Sequence, residues 1–590
     1  MPTLVSPQVY FEEVDKTTFV GEASGPVGAV VLRNTYKGRE NDKILIATET
    51  ELVTKFGSPS SNADCYRDIF SAIAFLKESN NLYCTRTMPI SATFAGTTAT
   101  SGTSATFTAF TFNNAPILSS GVGQVVDPDE YPDYAVVSGT DMMKVICKDR
   151  GYCGNMLRIA VCDKTHYDLI RQKNYTAWDT YSSLYAVDAP LDSNKEFIVI
   201  VQECTQGYDA DTESNWSTVE WWNVSTDENK YDDVGQPMYV ENVINTNSQY
   251  IRVSFNGSYN NTNIVNFVTS AWQRLSGGSN NNTATNLTNA VTNATVPDAT
   301  IIAAVDLYNN AEEINLDVII DSDKPEAVKT EIVTVAKTRK DCMAVLDCLS
   351  THVINQSGSE ETNLRDWMIS WRGGNSEVNT SYGAIYANWL DIYDKYNNKY
   401  RWIPASGYVA AIYARCQNQA QYWSTPAGFI RGKINNVRRL AWNPTQTQRD
   451  AIYKYSWNPI VSFANQGKVV YGHKTLLDKY SAFNRVNVRR LFISIETDIA
   501  SIARNYLFES NNTFHRNAIV SEIRPVLNYA KANDGIDDYK IICDTTNNTP
   551  ERIARNEMWV DIYVKPTYAA DYIIITFVAT KDTTDFSESV

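Results

Sequence analysis

Residues 314–346 read INLDVIIDSDKPEAVKTEIVTVAKTRKDCMAVL. Ile314–Ile320 is a short apolar run that reads as a strand, Lys324–Lys337 as a helix, and Met343–Leu346 as a second, buried strand. Strands and helices in alternation imply an α/β layer, because the helices cover the faces of the sheet. The same alternation occurs nearer the start of the chain. Val27–Leu32 and Lys43–Ala47 are strand-like, Glu49–Phe56 is helix-like and ended by Gly57 and Pro59, and Leu82–Thr87 is a further strand. Between them, Asp64–Leu76 places Ile69, Ile73 and Leu76 at helical spacing. The two stretches therefore read as halves, 21–90 and 301–480, of one discontinuous α/β domain.

The intervening chain differs in composition. Residues 91–121 are dominated by Thr, Ser, Ala, Gly and Phe, and 141–300 carries the strand-like runs Leu157–Cys162, Glu196–Glu203 and Tyr250–Phe255. These imply two inserted β-rich domains, 91–140 and 141–300. The second closes in Ser276–Asp298, an Asn/Thr-rich loop with little capacity to pack. Residues 1–20 read as an arm, in which Val9, Phe11 and Val14 are interrupted by Glu12, Glu13 and Asp15. Such a segment has no local partner and is free to pair with a sheet edge elsewhere.

The C-terminal portion is the most regular. In Arg485–Glu509, Val488, Leu491, Phe492, Ile495, Ile499, Ile502 and Tyr506 fall on a stripe about 100° wide, with Arg490, Thr497, Ser501 and Arg504 opposite as a basic ridge. A second helix near 513–532 precedes strands Tyr539–Cys543, Met558–Pro566 and Tyr572–Thr580. Met558, Val560, Ile562 and Val564 alternate with Trp559, Asp561, Tyr563 and Lys565, the period of a half-buried strand. Residues 583–590 have too little apolar content to fold alone. The fold class is α+β multidomain: an α/β core with β-rich inserts.

Composition narrows the function. Of 590 residues, 43% are hydrophobic and 20% charged, as in folded rather than disordered chains. A net charge of −15 argues against a general nucleic-acid binder. No apolar run approaches the roughly 20 residues that cross a bilayer, and the start lacks the pattern of a secretion signal, so neither a membrane protein nor a secreted precursor is expected. The charge is unevenly placed. Arg401 to Arg490 holds 14 basic residues against two acids, whereas Ser91 to Thr300 holds 11 basic residues against 23 acids. Three readings stay open: attraction between copies, neutralisation within one subunit, or a phosphate-binding patch with Trp402, Tyr408, Tyr413, Tyr422 and Trp423 as stacking residues.

No reaction chemistry stands out. The ten cysteines form no C-x-x-C pair and read as reduced, mostly buried thiols. His166, His352, His473 and His515 have no second His or Cys at metal-ligand spacing, so no metal, nucleophile or cofactor is expected. Gly467–Thr475, GKVVYGHKT, looks like a phosphate loop, but His473 displaces its Lys-Thr pair by one residue.

Several stretches resemble the tail sheath proteins of contractile-tailed phages, specifically the T4-like myovirus group. They are YDKYNNKYRWIP (393–404), STPAGFIRGKINNV (424–437), VVYGHKT (469–475), FNRVNVRRLF (483–492), CDTTNNTPERIARNE (543–557) and YIIITFVAT (572–580). The opening Ser6-Pro7-Gln8-Val9-Tyr10-Phe11-Glu12-Glu13 is similar to the family's SPG-V-Y-x-E, with Gln8 in place of Gly. The resemblance is strong over 385–590, moderate over 1–90 and 314–350, and weak in the acidic inserts.

The resemblance implies a non-enzymatic virion protein. Its copies would form hexameric rings in a helical array around a tail tube, and the array would contract to drive the tube through the host envelope during genome delivery. The implied partners are further copies of the chain, the tail tube protein, and the baseplate and tail terminator proteins, with assembly in the host cytoplasm. No membrane insertion, direct nucleic-acid contact or cofactor is implied. Residues 481–582 would be the inner conserved sheath domain, and the arms 1–20 and 583–590 would be exchanged between subunits. On this reading Val9, Phe11, Val14 and Phe586 pair between subunits, and Val560, Ile562, Val564, Ile573 and Ile575 belong to the sheet that receives them. Arg490 and Arg504 would face the tube, and Arg431, Lys433, Arg438 and Arg439 would make charged lattice contacts. Two other readings are a nucleic-acid-binding virion protein using 401–490 and a surface-glycan hydrolase using the inserts.

Overall fold

A computed structural model describes residues 25–89, 92, 94–100, 106–112, 141–164, 167, 193–204, 215–263, 272–278, 295–374 and 376–569. The chain forms two compact units, Met1–Ala304 with Asn315–Val318, and Val305–Ile314 with Ile319–Val590.

The first unit begins with β1 (Val27–Arg33), every residue of which is buried, as expected of a parallel strand covered on both faces. It pairs in parallel with β3 (Asn81–Thr87), and β2 (Ile44–Ile46) lies antiparallel on the other edge of β3. Helix α1 (Glu49–Phe56) starts where the Thr48 hydroxyl accepts the Glu51 amide at 3.1 Å. It stops at Gly57, whose φ of +85° favours glycine and where a Cβ would lie 2.8 Å from Tyr36 Cβ. In α2 (Ala63–Leu76) the fully buried Asp68 accepts the Arg33 amide at 2.8 Å and the Arg33 guanidinium at 2.8 and 2.9 Å. That ion pair fastens the helix to the strand.

The β-rich part of this unit holds two four-stranded sheets. One joins β4 (Phe94–Thr100), β5 (Thr106–Phe112), β6 (Asp141–Cys147) and β10 (Ile251–Phe255). The other joins β7 (Leu157–Asp163), β8 (Glu196–Cys204), β9 (Trp216–Ser225) and β11 (Gln273–Arg274). Ala95, Met143, Val145, Val161, Phe197, Val199 and Val253 share one core. β4 pairs with β6, so an insert boundary at residue 140 runs between paired strands of one sheet.

In the second unit the sheet runs β17 (Lys433–Ile434), β20 (Gly467–Val470), β19 (Trp457–Phe463), β14 (Gly383–Ala387), β13 (Met343–Asp347) and β12 (Val318–Ile320). β13, β14 and β19 are parallel, and β20 turns back antiparallel to β19. The helix expected over 324–337 is α3 (Glu326–Arg339), and β12 is shorter than the run 314–320 suggests. Arg339 accounts for the first part of that run. Its guanidinium donates to the carbonyls of Tyr308, Asn310 and Ile314, which holds the chain in a loop.

A buried charge cluster lies beneath this sheet. Lys329 of α3 pairs with Asp321, and both side chains are fully buried. Asp347 lies beside them, accepting the Ser406 amide at 2.6 Å and donating its own amide to Asp321 at 2.9 Å. Burial, and then the charge of Asp321, push the Asp347 carboxyl up to about 7.

Candidate assembly surfaces

Two surfaces of the second unit carry the residues singled out by the sequence. The first is built on α5 (Val486–Arg504) and α6 (Thr513–Ala532), with β21 (Ile536–Ile542) antiparallel to β22 (Asp561–Pro566). α6 starts where the Asn512 side chain accepts the His515 amide at 2.9 Å. Leu491, Ile495, Ile519, Ile523, Leu527 and Ile536 form the core, and Met558, Val560, Ile562 and Val564 pack against it. The expected alternation is therefore present: these four point inward, while Tyr563 is 59% exposed.

The turn between β21 and β22 depends on two buried asparagines. Asn547 Nδ2 donates to the Ile542 and Trp559 carbonyls and to Asp561, and Asn548 Nδ2 donates to the Trp559 carbonyl at 2.9 Å. Thr549 then caps a short helix that begins at Pro550, and the Arg552 guanidinium lies 3.9 Å from the Trp559 ring centroid. These roles belong to residues of the stretch CDTTNNTPERIARNE, 543–557. The signal was two adjacent asparagines before a Thr-Pro helix start.

The basic ridge of the helical wheel is corrected in part. Arg504 is exposed, but Arg490 is only 2% exposed. Its guanidinium lies 4.7 Å from the Tyr413 ring centroid and 4.3 Å from that of Tyr422, and Nη2 donates to the Tyr413 carbonyl at 3.2 Å. Val486–Leu491 is buried all round, so the first half of α5 has no solvent face for a ridge.

Among the described residues β22 pairs only with β21. Val9, Phe11, Val14, Ile573, Ile575 and Phe586 lie outside the described residues.

The second surface is a three-stranded sheet, β16 (Lys399–Pro404), β15 (Trp389–Asp394) and β18 (Arg439–Leu440). Tyr393 lies opposite Tyr400, and Asp391 lies opposite both Trp402 and Arg439, so these side chains share one face. On the other face Leu390, Ile392 and Ile403 are buried. Asp391, 2% exposed, accepts from Arg438 Nε and Arg439 Nε at 2.8 Å each. Arg438 and Arg439 are exposed, as are Arg431 and Lys433.

The stacking residues proposed for phosphate binding do not form one surface. Tyr413 is buried and hydrogen-bonded to Tyr386 at 2.8 Å. Trp423 packs edge-on against Tyr529, and its ring nitrogen donates to the Asn533 carbonyl. Burial pushes the Tyr408 hydroxyl up to about 12. Three of the basic residues between 401 and 490, Arg401, Arg489 and Arg490, are buried. Nor does GKVVYGHKT cradle an anion. Its start is strand β20, His473 is buried, and Lys474 Nζ donates to the Tyr453 carbonyl. Among the described residues no group of three or more His, Cys, Asp or Glu side chains could hold a metal ion. All ten cysteines are buried and none is in a disulfide.

Comparison with known proteins agrees with these features. Residues 294–476 match the phage tail sheath protein central domain, and residues 478–580 match the phage tail sheath C-terminal domain. The tail sheath protein of Vibrio phage KVP40 is 38% identical over 270 residues, covering 44% of this chain and 40% of that protein. The tail sheath protein of Enterobacteria phage T4 is 35% identical over 310 residues, covering 50% of this chain and 47% of that protein. The chain thus spans less than half the length of the curated relatives it matches. A sheath tail protein from Listeria innocua shares the fold over 92% of both chains, at a TM-score of 0.53 and 12% identity. Over residues 294–580 this chain is thus similar, in unbroken order, to the central and C-terminal domains of phage tail sheath proteins.

Proposed function

We propose that this chain is the subunit of a contractile tail sheath in the virion tail. Its copies stack as hexameric rings around a tail tube, and the helical array contracts to drive the tube through the host envelope. The observation that carries this reading is the order of the matches: the central and C-terminal sheath domains follow one another over 294–580. Partners on this reading are further copies, the tube protein, and the baseplate and terminator proteins.

Two physical features support the reading. The strand β22 has one partner among the described residues, and its inward side chains already pack on α5 and α6. An arm from a neighbouring copy, 1–20 or 583–590, would therefore add through main-chain hydrogen bonds. Each bond contributes only about 0.5–1.5 kcal/mol net, enough in numbers to hold neighbours while rings rotate. Contraction would then proceed from a metastable extended array to one that buries more complementary surface. Of the two tube-facing candidates, exposed Arg504 is the one retained.

Electron microscopy of the purified chain tests this. Long hollow polymers are expected, and chains that stay monomeric at high concentration would overturn the proposal.

A further inference from the structure

The exposed face of the sheet β16–β15–β18 is built unlike an ordinary solvated surface. Tyr393 and Tyr400 are 51% and 52% exposed, and their rings meet edge to face with centroids 5.5 Å apart. The Arg438 guanidinium stacks 3.8 Å from the Tyr400 centroid, and the Arg439 guanidinium sits 5.0 Å from that of Trp402. One carboxylate, Asp391, holds both arginines. Two guanidinium charges against one buried carboxylate leave the face net positive. Their side chains are 45% and 61% exposed, so donor groups remain open to a partner. Aromatic and Arg side chains held in place by a buried anchor lose little freedom on binding, which is how strong interface positions are composed.

The chain itself contains a segment with the complementary chemistry. In the first unit, Tyr231-Asp232-Asp233-Val234-Gly235 forms a tight turn, in which Tyr231 bridges to Pro237 and the Gly235 amide donates to the Asp232 carbonyl at 3.0 Å. Tyr231 is 58% exposed and Val234 84% exposed. Asp232 Oδ1 accepts the Val234 and Gln236 amides at 3.0 and 2.7 Å and so holds the turn, and the tip offers the Asp233 carboxylate beside apolar surface.

We infer that the Tyr393/Tyr400/Trp402 face with Arg438 and Arg439 is an interface between copies, and that it receives the Asp232–Val234 turn of a second copy. Asp233 would meet Arg439 and Arg438, and Val234 would lie on the tyrosine pair. The inference rests on the sheath reading, because it needs copies side by side, and it assigns one of the charged contacts to named residues.

Complementary charge exchange tests it. Arg439→Glu and Asp233→Lys, each alone, are expected to raise the concentration needed for polymerisation about tenfold, as is the uncharged Tyr400→Ser. Matching thermal melts for variant and wild-type monomers would show that folding is intact. Mixing the Arg439→Glu chain with the Asp233→Lys chain should restore polymers, because each altered face then finds its opposite on the other chain. Polymers that form equally well from wild type and from every variant would overturn this contact while leaving the sheath reading intact. Failure of the mixture to recover, with recovery in the double variant, would place the contact within one copy and also overturn it. Wild-type chains that never polymerise would overturn both readings together.

Discussion

Arg490 donates from Nη2 to the carbonyl of Tyr413 at 3.2 Å while its guanidinium stacks on the Tyr413 ring. The contact ties the first half of α5 to α4 (Ser406–Gln419), and the Tyr422 ring centroid lies 4.3 Å from the same cation. A buried cation held by rings and a carbonyl contributes mainly when it stays fully packed.

Arg490→Ala is expected to destabilise the second unit by about 2–4 kcal/mol, from lost stacking and a carbonyl left without its donor. Arg490→Lys should recover only part of this, because an ammonium lacks the planar stacking surface. Urea unfolding followed by tryptophan fluorescence checks both, and an Arg490→Ala chain as stable as wild type would refute the packing role.

Asp347 predicts a pH dependence. Its carboxyl is pushed up to about 7, so the folded chain keeps a proton that an unfolded carboxyl, near about 3.9, has already released. Stability from this group is therefore greatest below about pH 4, falls as pH rises towards 7, and is flat beyond. Asp347→Asn cannot ionise and should gain on wild type across that window, by a few degrees in Tm at about pH 8. Buried His352, pushed down to about 4 by burial, acts in the opposite direction but equally in both chains. Paired melts at about pH 4 and pH 8 check this; an unchanged difference between them would count against it.

The fold was legible wherever local pattern and tertiary packing agree. Glu49–Phe56 forms over its expected residues, because Thr48 caps it and Gly57 ends it by local geometry. Thr513–Ala532 likewise follows from a local cap. Arg490 was misplaced for the opposite reason: a helical wheel assigns faces from one helix alone, and a neighbouring helix covers the first turns of α5. The Asp391 clamp was hidden because its arginines lie 47 and 48 residues away, paired through a strand of two residues. Strand pairing across residue 140, which joins β4 to β6, is of the same long-range kind and has no local signal in the sequence.

Asn547 makes a sharper test of the C-terminal turn. Its amide nitrogen serves three acceptors across the β21–β22 connection, in a residue only 7% exposed. Asn547→Ala is expected to cost about 1–3 kcal/mol, since the Ile542 carbonyl and Asp561 lose this donor at a buried site while the Trp559 carbonyl keeps Asn548. Asn547→Asp should be at least as damaging, because it replaces the donor with a second carboxylate beside Asp561. Hydrogen exchange of the β22 amides should rise in both variants, and protection that stays at the wild-type level would argue against the asparagine as the organiser of the turn.

Arg504 offers the test of the tube-facing proposal. It is exposed at the last residue of α5, where nothing in the described core depends on its charge. Arg504→Gln should therefore leave folding and sheath polymerisation unaltered. One exposed pair contributes less than about 1 kcal/mol and is screened by salt, but on the proposed hexameric reading six such contacts would act on the tube together. Co-sedimentation of polymers with purified tail tubes should fall in the variant at low salt and converge with wild type at high salt. A variant whose tube binding tracks wild type across the whole salt series would remove Arg504 from the contact and move the search to other exposed residues of the same helix.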